Sequence, residues 1–99
     1  MTVGALRAEL LIHGARSLKE KRQVLKSLKD RIRNGFNVSV AEVGYQDLWQ
    51  RAALAFAVAG TDGAYVRGVL DELVRFIARE ARVELARHES EICELGSGE

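Results

Sequence analysis

The sequence predicts a single α+β domain in which two helices cover one face of a four-stranded antiparallel sheet. Two stretches repeat their apolar residues every three or four positions, as helices packed on a core do, and four stretches alternate or run apolar at strand length. Their order along the chain is β-α-β-β-α-β. The 99 residues suffice for one hydrophobic core. We expect the domain to span residues 1–95, with 96–99 as a flexible C-terminal tail.

The first half of the chain is predicted to contain two strands and the helix between them. Residues 2–13 alternate apolar and polar side chains, as a half-buried strand does. Ser17 and Glu20 have the spacing of a capping box, which places the start of the first helix. Asn34-Gly35 is expected to end this helix with a left-handed residue. Residues 36–43 alternate again and are predicted to form the second strand.

The second half of the chain determines the predicted strand order. Residues 51–59 are apolar on both faces, so this third strand belongs in the middle of the sheet. Thr61 or Asp62 is expected to cap a second helix, and a weaker fourth strand covers residues 82–89. Right-handed crossovers then lead to the strand order 4-1-3-2 with both helices on one face. This arrangement is a ferredoxin-like sandwich.

Composition argues against several functional classes. The single cysteine, Cys93, excludes an intrachain disulfide and favours a cytoplasmic location, and no secretory signal is recognisable at the N-terminus. No apolar run approaches the length of a membrane span, so no membrane contact is expected. Catalytic constellations, phosphate-binding glycine loops and metal-ligand spacings are absent from the sequence. We therefore expect no enzymatic activity, no cofactor, no metal and no small-molecule substrate.

Charge is distributed unevenly although the formal net charge is only +1. Residues 16–33 carry eight Lys and Arg against Glu20 and Asp30, whereas residues 80–99 carry six Glu against two Arg. On the first helix, five cations recur every three or four positions and form a basic stripe about 21 Å long: Lys19, Arg22, Lys26, Lys29 and Arg33. Neighbouring like charges at these spacings cost about 0.2–0.5 kcal/mol per pair. Glu20 and Asp30 are expected to lie away from the basic stripe.

The basic stripe has a functional and a structural interpretation. RNA phosphates could bind there, with Arg16 assisting, which indicates an RNA- or ribosome-associated module. Alternatively, the stripe is a solubilising face whose long side chains cover apolar surface. The second helix has the pattern typical of such a face, because Arg67, Asp71 and Arg75 alternate in sign. A third possibility, a phosphate site at the loop containing Arg16, rests on fold analogy alone.

Trp49, the only tryptophan, lies in the polar segment 46–51 before the third strand. Its side chain could stack on a base or anchor a partner protein. The preferred interpretation is that it closes the end of the core beneath the turn.

The third strand motivates an alternative function. Helices can cover only one of its apolar faces, either the side with Leu54, Phe56 and Val58 or the side with alanines 53, 55 and 57. The other face would need a cover, which a homodimer or a protein partner would provide. In this alternative the partner-binding residues are Trp49, Arg51 and Phe56.

Three sequence blocks resemble the bacterial YlxP-like family, a domain of unknown function. They are SLKEKR at 17–22, FNVSVAEV at 36–43 and QDLWQR at 46–51. The resemblance covers about residues 2–92 and implies a ferredoxin-like fold. Genes of the family commonly lie among those for transcription, translation and ribosome maturation, which implies a role near the ribosome. The resemblance implies no catalytic residues.

Overall fold

A computed structural model describes residues 1–96 and has the predicted β-α-β-β-α-β order. The elements are β1 (Thr2–Leu11), α1 (Leu18–Gly35), β2 (Ser39–Gly44), β3 (Arg51–Gly60), α2 (Gly63–Ala78) and β4 (Glu84–Glu94). The strands form one antiparallel sheet ordered β2-β3-β1-β4, which is the predicted order read from the other edge. The predicted ferredoxin-like α+β fold is confirmed. Of the expected flexible tail, residues 97–99 lie outside the described residues.

The core lies between the helices and one face of the sheet. Both helices direct an apolar stripe inwards, including Leu25 and Ile32 of α1 and Leu70 and Leu73 of α2, all of them buried. Burial of each such side chain stabilises the fold by about 1.5–3 kcal/mol. α1 lies over the β2 side of the sheet, and α2 lies over the β4 side. Neither helix in residues 1–96 has the length and apolar character needed to cross a membrane.

Both predicted helix starts are confirmed. The Ser17 hydroxyl accepts a hydrogen bond from the Glu20 backbone N–H at 3.1 Å, as expected of a capping box. Asp62, rather than Thr61, caps α2, and its carboxylate accepts from the Tyr65 backbone N–H at 2.8 Å. These caps satisfy amides that the helices leave unpaired at their N-termini.

The conformation predicted for the end of α1 is wrong. Gly35 belongs to the helix, and the chain leaves α1 through Phe36 in an extended conformation (φ −137°) rather than through a left-handed residue. The Phe36 ring packs edge-on against Phe76 of α2, with 5.8 Å between centroids. This contact directs the chain into β2, which consequently begins three residues later than predicted. β4 is longer than predicted because it pairs with β1 from Thr2 to Leu11.

Candidate functional site

The structure places the basic stripe on the outside of α1. The helix is uninterrupted from Leu18 to Gly35, so positions three and four residues apart share one side. Lys19, Arg22, Lys26 and Arg33 are exposed, and Lys29 is half-buried. Arg16, which precedes the helix, is also exposed. The Arg33 guanidinium donates to the Val40 carbonyl at 3.3 Å, so the end of the stripe lies beside the edge strand β2.

The expectation that Asp30 lies away from the basic stripe is wrong. Its carboxylate is 2.7 Å from Lys26 Nζ and 3.9 Å from Arg33 Nη1. The reason is spacing, because Asp30 follows Lys26 by four residues and precedes Arg33 by three, which makes all three neighbours on the helix surface. The hydrogen bond from Lys26 lowers the pKa of the Asp30 carboxyl. Asp30 therefore partly neutralises the C-terminal half of the stripe.

The N-terminal half of the stripe keeps its charge. Within residues 1–96, neither Lys19 nor Arg22 forms a salt bridge; Lys29, which lies in the C-terminal half beside Asp30, forms none either. Glu20 is engaged elsewhere, since its carboxylate accepts a hydrogen bond from the Arg16 backbone N–H. The positive end of the helix dipole lies here as well, which makes additional cations unfavourable. A bound anion would reduce both the repulsion between the unpaired cations and their unfavourable interaction with the helix dipole.

Lys21 is the one cation of α1 that points into the protein. Its side chain is 1% exposed, and its ammonium donates to the Tyr45 carbonyl at 2.7 Å. The Glu42 carboxylate of β2 is 3.3 Å away. Lys21 therefore joins α1 to the loop between β2 and β3. Its spacing from Leu25 is the sequence signal that could have shown this, because four residues along a helix return to the same face.

A charged network occupies the face of the sheet that the helices leave open. We call it the Glu9 network; its members are Arg7, Glu9, Tyr45 and Arg51. The Glu9 carboxylate is 2.7 Å from Arg7 Nη1 and 2.9 Å from Arg51 Nη2, and the Tyr45 hydroxyl donates to it at 3.3 Å. The Arg51 guanidinium stacks on the Tyr45 ring at 4.4 Å. The network has one carboxylate for two guanidinium groups and therefore carries a positive charge.

The hydrogen bonds of the Glu9 network favour the charged form of the Glu9 carboxylate. Hydrogen bonds from Arg7 and then Arg51 lower the pKa of Glu9 to about 2. The same bonds raise the pKa of both guanidinium groups. Alternation along β1 places Arg7 and Glu9 on one face, but Tyr45 and Arg51 come from distant positions, so no local pattern in the sequence indicates the network.

Trp49 does not close the core, so the preferred interpretation is wrong. Its side chain is 53% exposed, and the neighbouring Leu48 is 49% exposed. Other residues hold the loop in place of Trp49, because the Gln50 side-chain amide donates to the carbonyls of His13 (3.1 Å) and Ala15 (2.9 Å). Residues 47–51 line a shallow concavity of about 420 Å³.

The structure assigns the two faces of β3 and corrects one predicted partner-binding residue. Phe56 is 1% exposed because it points towards the helices, as do Leu54 and Val58. It is therefore not accessible to a partner. The open face carries the alanines, of which Ala57 is exposed. Arg51 and Trp49 remain accessible from the predicted set.

A second concavity lies at one end of the sheet, where the β1–α1 loop meets the segment before β4. It has a volume of about 570 Å³, and charged side chains of both signs line it. Two of the lining side chains share a hydrogen bond, since His13 Nε2 lies 2.9 Å from the Glu84 carboxylate. Arg82, a third, bonds to Glu80 and to the Ser27 hydroxyl. Arg16 is not part of the lining, so the geometry does not favour the phosphate site considered from fold analogy.

Fold and surface together define a small ferredoxin-like domain with a basic helix. The chain belongs to the family described as "Protein of unknown function (DUF503)", whose family model matches residues 3–90. It is 39% identical over 82 residues to "Uncharacterized protein YlxP" of Bacillus subtilis (strain 168). That match covers 83% of this chain and 89% of the relative. The predicted resemblance to a YlxP-like family is confirmed.

Proposed function

We propose that this protein is a non-enzymatic binding module that docks onto RNA, free or within a ribosomal particle, through the basic stripe and Arg16. The observation that carries the proposal is the poor neutralisation of this surface. The five cations of the stripe lie along α1 and Arg16 precedes it, and Asp30 is the one carboxylate of residues 1–96 that forms salt bridges with these six. Phosphate oxygens would supply the missing negative charge.

The second helix supports this interpretation by contrast. On α2, Asp71 lies four residues after Arg67 and four before Arg75, so opposite charges are neighbours on the exposed side. Such a surface is soluble without attracting a polyanion. α1 has no such alternation along Lys19, Arg22 and Lys26, and a need for solubility alone does not account for it.

The distribution of charge over the sheet also supports docking in one orientation. β4 carries Glu84, Glu89, Glu91 and Glu94 and forms the edge opposite β2. The basic stripe lies over the β2 side, so the acidic residues of β4 do not neutralise it. A polyanion is attracted to the β2 side and repelled from the β4 side.

We expect binding to structured RNA to depend steeply on salt. Five phosphate contacts would lower the affinity ~500-fold between about 50 and about 200 mM salt. Replacing Lys19, Arg22, Lys26 and Lys29 by Gln is expected to weaken binding at low salt by ~100-fold or more and to flatten the salt dependence. Fluorescence anisotropy with a labelled RNA hairpin measures both effects.

The control for this experiment carries the same change in net charge elsewhere. Four exposed arginines are available: Arg67 and Arg75 of α2, Arg79 directly after α2, and Arg87 of β4. Replacing these four by Gln is expected to weaken binding less than tenfold. The proposal is contradicted if the two variants and the unmodified protein bind the RNA equally weakly at low salt.

A second candidate function, self-association through the open face of the sheet, has its own supporting observation. Ala5 and Ala57 pair across β1 and β3, and both are exposed on this face. The open face of the four-stranded sheet has an area of about 600 Å². That area approaches the roughly 800 Å² that each partner contributes to a stable interface.

The expected result for this second candidate is a dimer at tens of micromolar protein in sedimentation equilibrium. Replacing Ala57 by Glu should yield a monomer because it places a charge in the centre of the interface. Replacing the exposed Ala64 of α2 by Glu should leave the dimer intact. A strict monomer at high micromolar concentration would exclude this candidate and leave RNA binding unaffected.

A further inference from the structure

We infer that the loop between β2 and β3 extends the basic stripe into a site for single-stranded RNA, in which a base stacks on Trp49 and the adjoining phosphates contact Arg51 and Arg16. The inference rests on the proposed function, because it names the form of RNA that the same surface binds. It assigns a ligand to an exposed indole that the core does not use.

The first support is the exposure of Trp49 in a concave setting. The indole is 53% exposed, and the concavity of about 420 Å³ is lined by five consecutive residues: Asp47, Leu48, Trp49, Gln50 and Arg51. Exposed aromatic rings beside cations are how proteins hold single-stranded nucleic acid, since any base can stack on the ring. Asp47, the one carboxylate of this lining, repels phosphate, so the base is placed at the indole and the adjoining phosphates at Arg51 and Arg16.

The second support is continuity between the loop and the basic stripe. Gln50, the neighbour of Trp49, is bonded through its side chain to the carbonyl of Ala15, the neighbour of Arg16. The Ile12 backbone N–H also donates to the Gln50 carbonyl at 2.9 Å. The loop that carries Trp49 is therefore held against the segment that precedes the basic stripe. An RNA strand following the stripe beyond its N-terminal end would reach this loop next.

The third support is that the Arg51 side chain is both anchored and exposed. Its guanidinium is anchored by Glu9 through Nη2 and by stacking on the Tyr45 ring, yet its side chain is still 45% exposed. A guanidinium group has five N–H donors, so donors remain for a phosphate. The anchoring fixes the direction of Arg51 before any ligand binds, which lowers the entropic cost of binding.

Single-stranded RNA suits this arrangement better than a duplex. In a duplex the faces of the bases are stacked on one another and are not accessible to a protein ring. The open face of β1 has no aromatic side chain: its residues are Val3, Ala5, Arg7, Glu9 and Leu11. Tyr45, the aromatic ring of the Glu9 network, is already stacked on Arg51, so Trp49, which precedes β3, is the exposed ring beside the cations.

The test uses Trp49 as its own reporter, because it is the only tryptophan. A single-stranded 12-nucleotide oligoadenylate is expected to quench its emission, whereas a duplex RNA of the same length is not. Replacing Trp49 by Ala should weaken binding of the single strand by about 5- to 150-fold and leave duplex binding unchanged. Trp49→Phe keeps a ring and should retain most of the affinity.

Tyr65→Ala is the matched control, because Tyr65 of α2 is an equally exposed aromatic residue outside this concavity. It should change the single-strand affinity by less than twofold. Tight RNA binding with unchanged Trp49 emission, and with Trp49→Ala binding like the unmodified protein, overturns this inference while the proposed function stands. In that case the indole is free for a protein partner. Absence of binding to either RNA overturns both.

Discussion

Replacing Lys21 by Met is expected to lower the free energy of unfolding by about 3 kcal/mol. The Lys21 ammonium is buried and joins three elements, since it lies on α1, donates to Tyr45 after β2 and faces Glu42 of β2. Met has a similar volume, so packing is largely preserved while the charge and the donors are removed. One Glu42 carboxylate oxygen is already buried without a hydrogen bond, and it would lose its compensating charge.

Urea unfolding at pH 7 measures this change. Lys19→Met is the control, because Lys19 lies on the same helix two residues away but is exposed. It should alter stability by no more than about 0.5 kcal/mol. If Lys21→Met and Lys19→Met are equally stable, the buried ammonium does not hold the loop to α1. The double variant Lys21→Met/Glu42→Gln should recover part of the loss, because it removes the uncompensated carboxylate.

The Glu9 network is expected to make stability depend on pH in a defined window. The pKa of Glu9 is about 2 in the folded protein against 4.5 for an unperturbed glutamate. A lowered pKa means that folding favours the charged carboxylate, so the stabilisation is complete above about pH 4.5. It declines as the pH falls and is lost near pH 2. Protonated Glu9 no longer attracts Arg7 and Arg51.

The comparison that isolates this effect is between the unmodified protein and Glu9→Gln. At pH 7 the Gln variant should be clearly less stable, since Arg7 and Arg51 then lack their shared carboxylate. The difference should narrow between about pH 4.5 and about pH 2, because other carboxyl groups titrate alike in both proteins. Glu91→Gln, on the exposed part of β4, should match the unmodified protein at pH 7. A difference that stays constant down to pH 2 would show that Glu9 is not held by the two arginines.

Several parts of the fold could be predicted because they depend on neighbours in sequence. The capping box of Ser17 and Glu20 is a local motif, and the apolar pattern of β3 extends over only ten residues. The two-sided apolar pattern of β3 placed it in the middle of the sheet, and the sheet order followed. The end of α1 was predicted incorrectly because Phe36 packs on Phe76, forty residues away, and this contact replaces the left-handed turn.

The candidate site could be predicted in part. Helical spacing was enough to place the basic stripe on one side of α1. The same spacing rule also applies to Asp30 and to Lys21, and it would have identified the salt bridges of Asp30 and the buried position of Lys21. For β3, side-chain volume could have shown which face lies against the helices. Leu54 and Phe56 fill the space beneath the helices, which alanines would leave empty.

The sequence by itself determined the elements, their order and the basic side of α1, because periodicity and helix caps act over a few residues. Only the tertiary structure decided which charges are neutralised across the fold and which rings are exposed. Lys21 meets Tyr45 across 24 positions, and Glu9 meets Arg51 across 42. Such contacts depend on how strands and loops are brought together in space, and no local pattern encodes them.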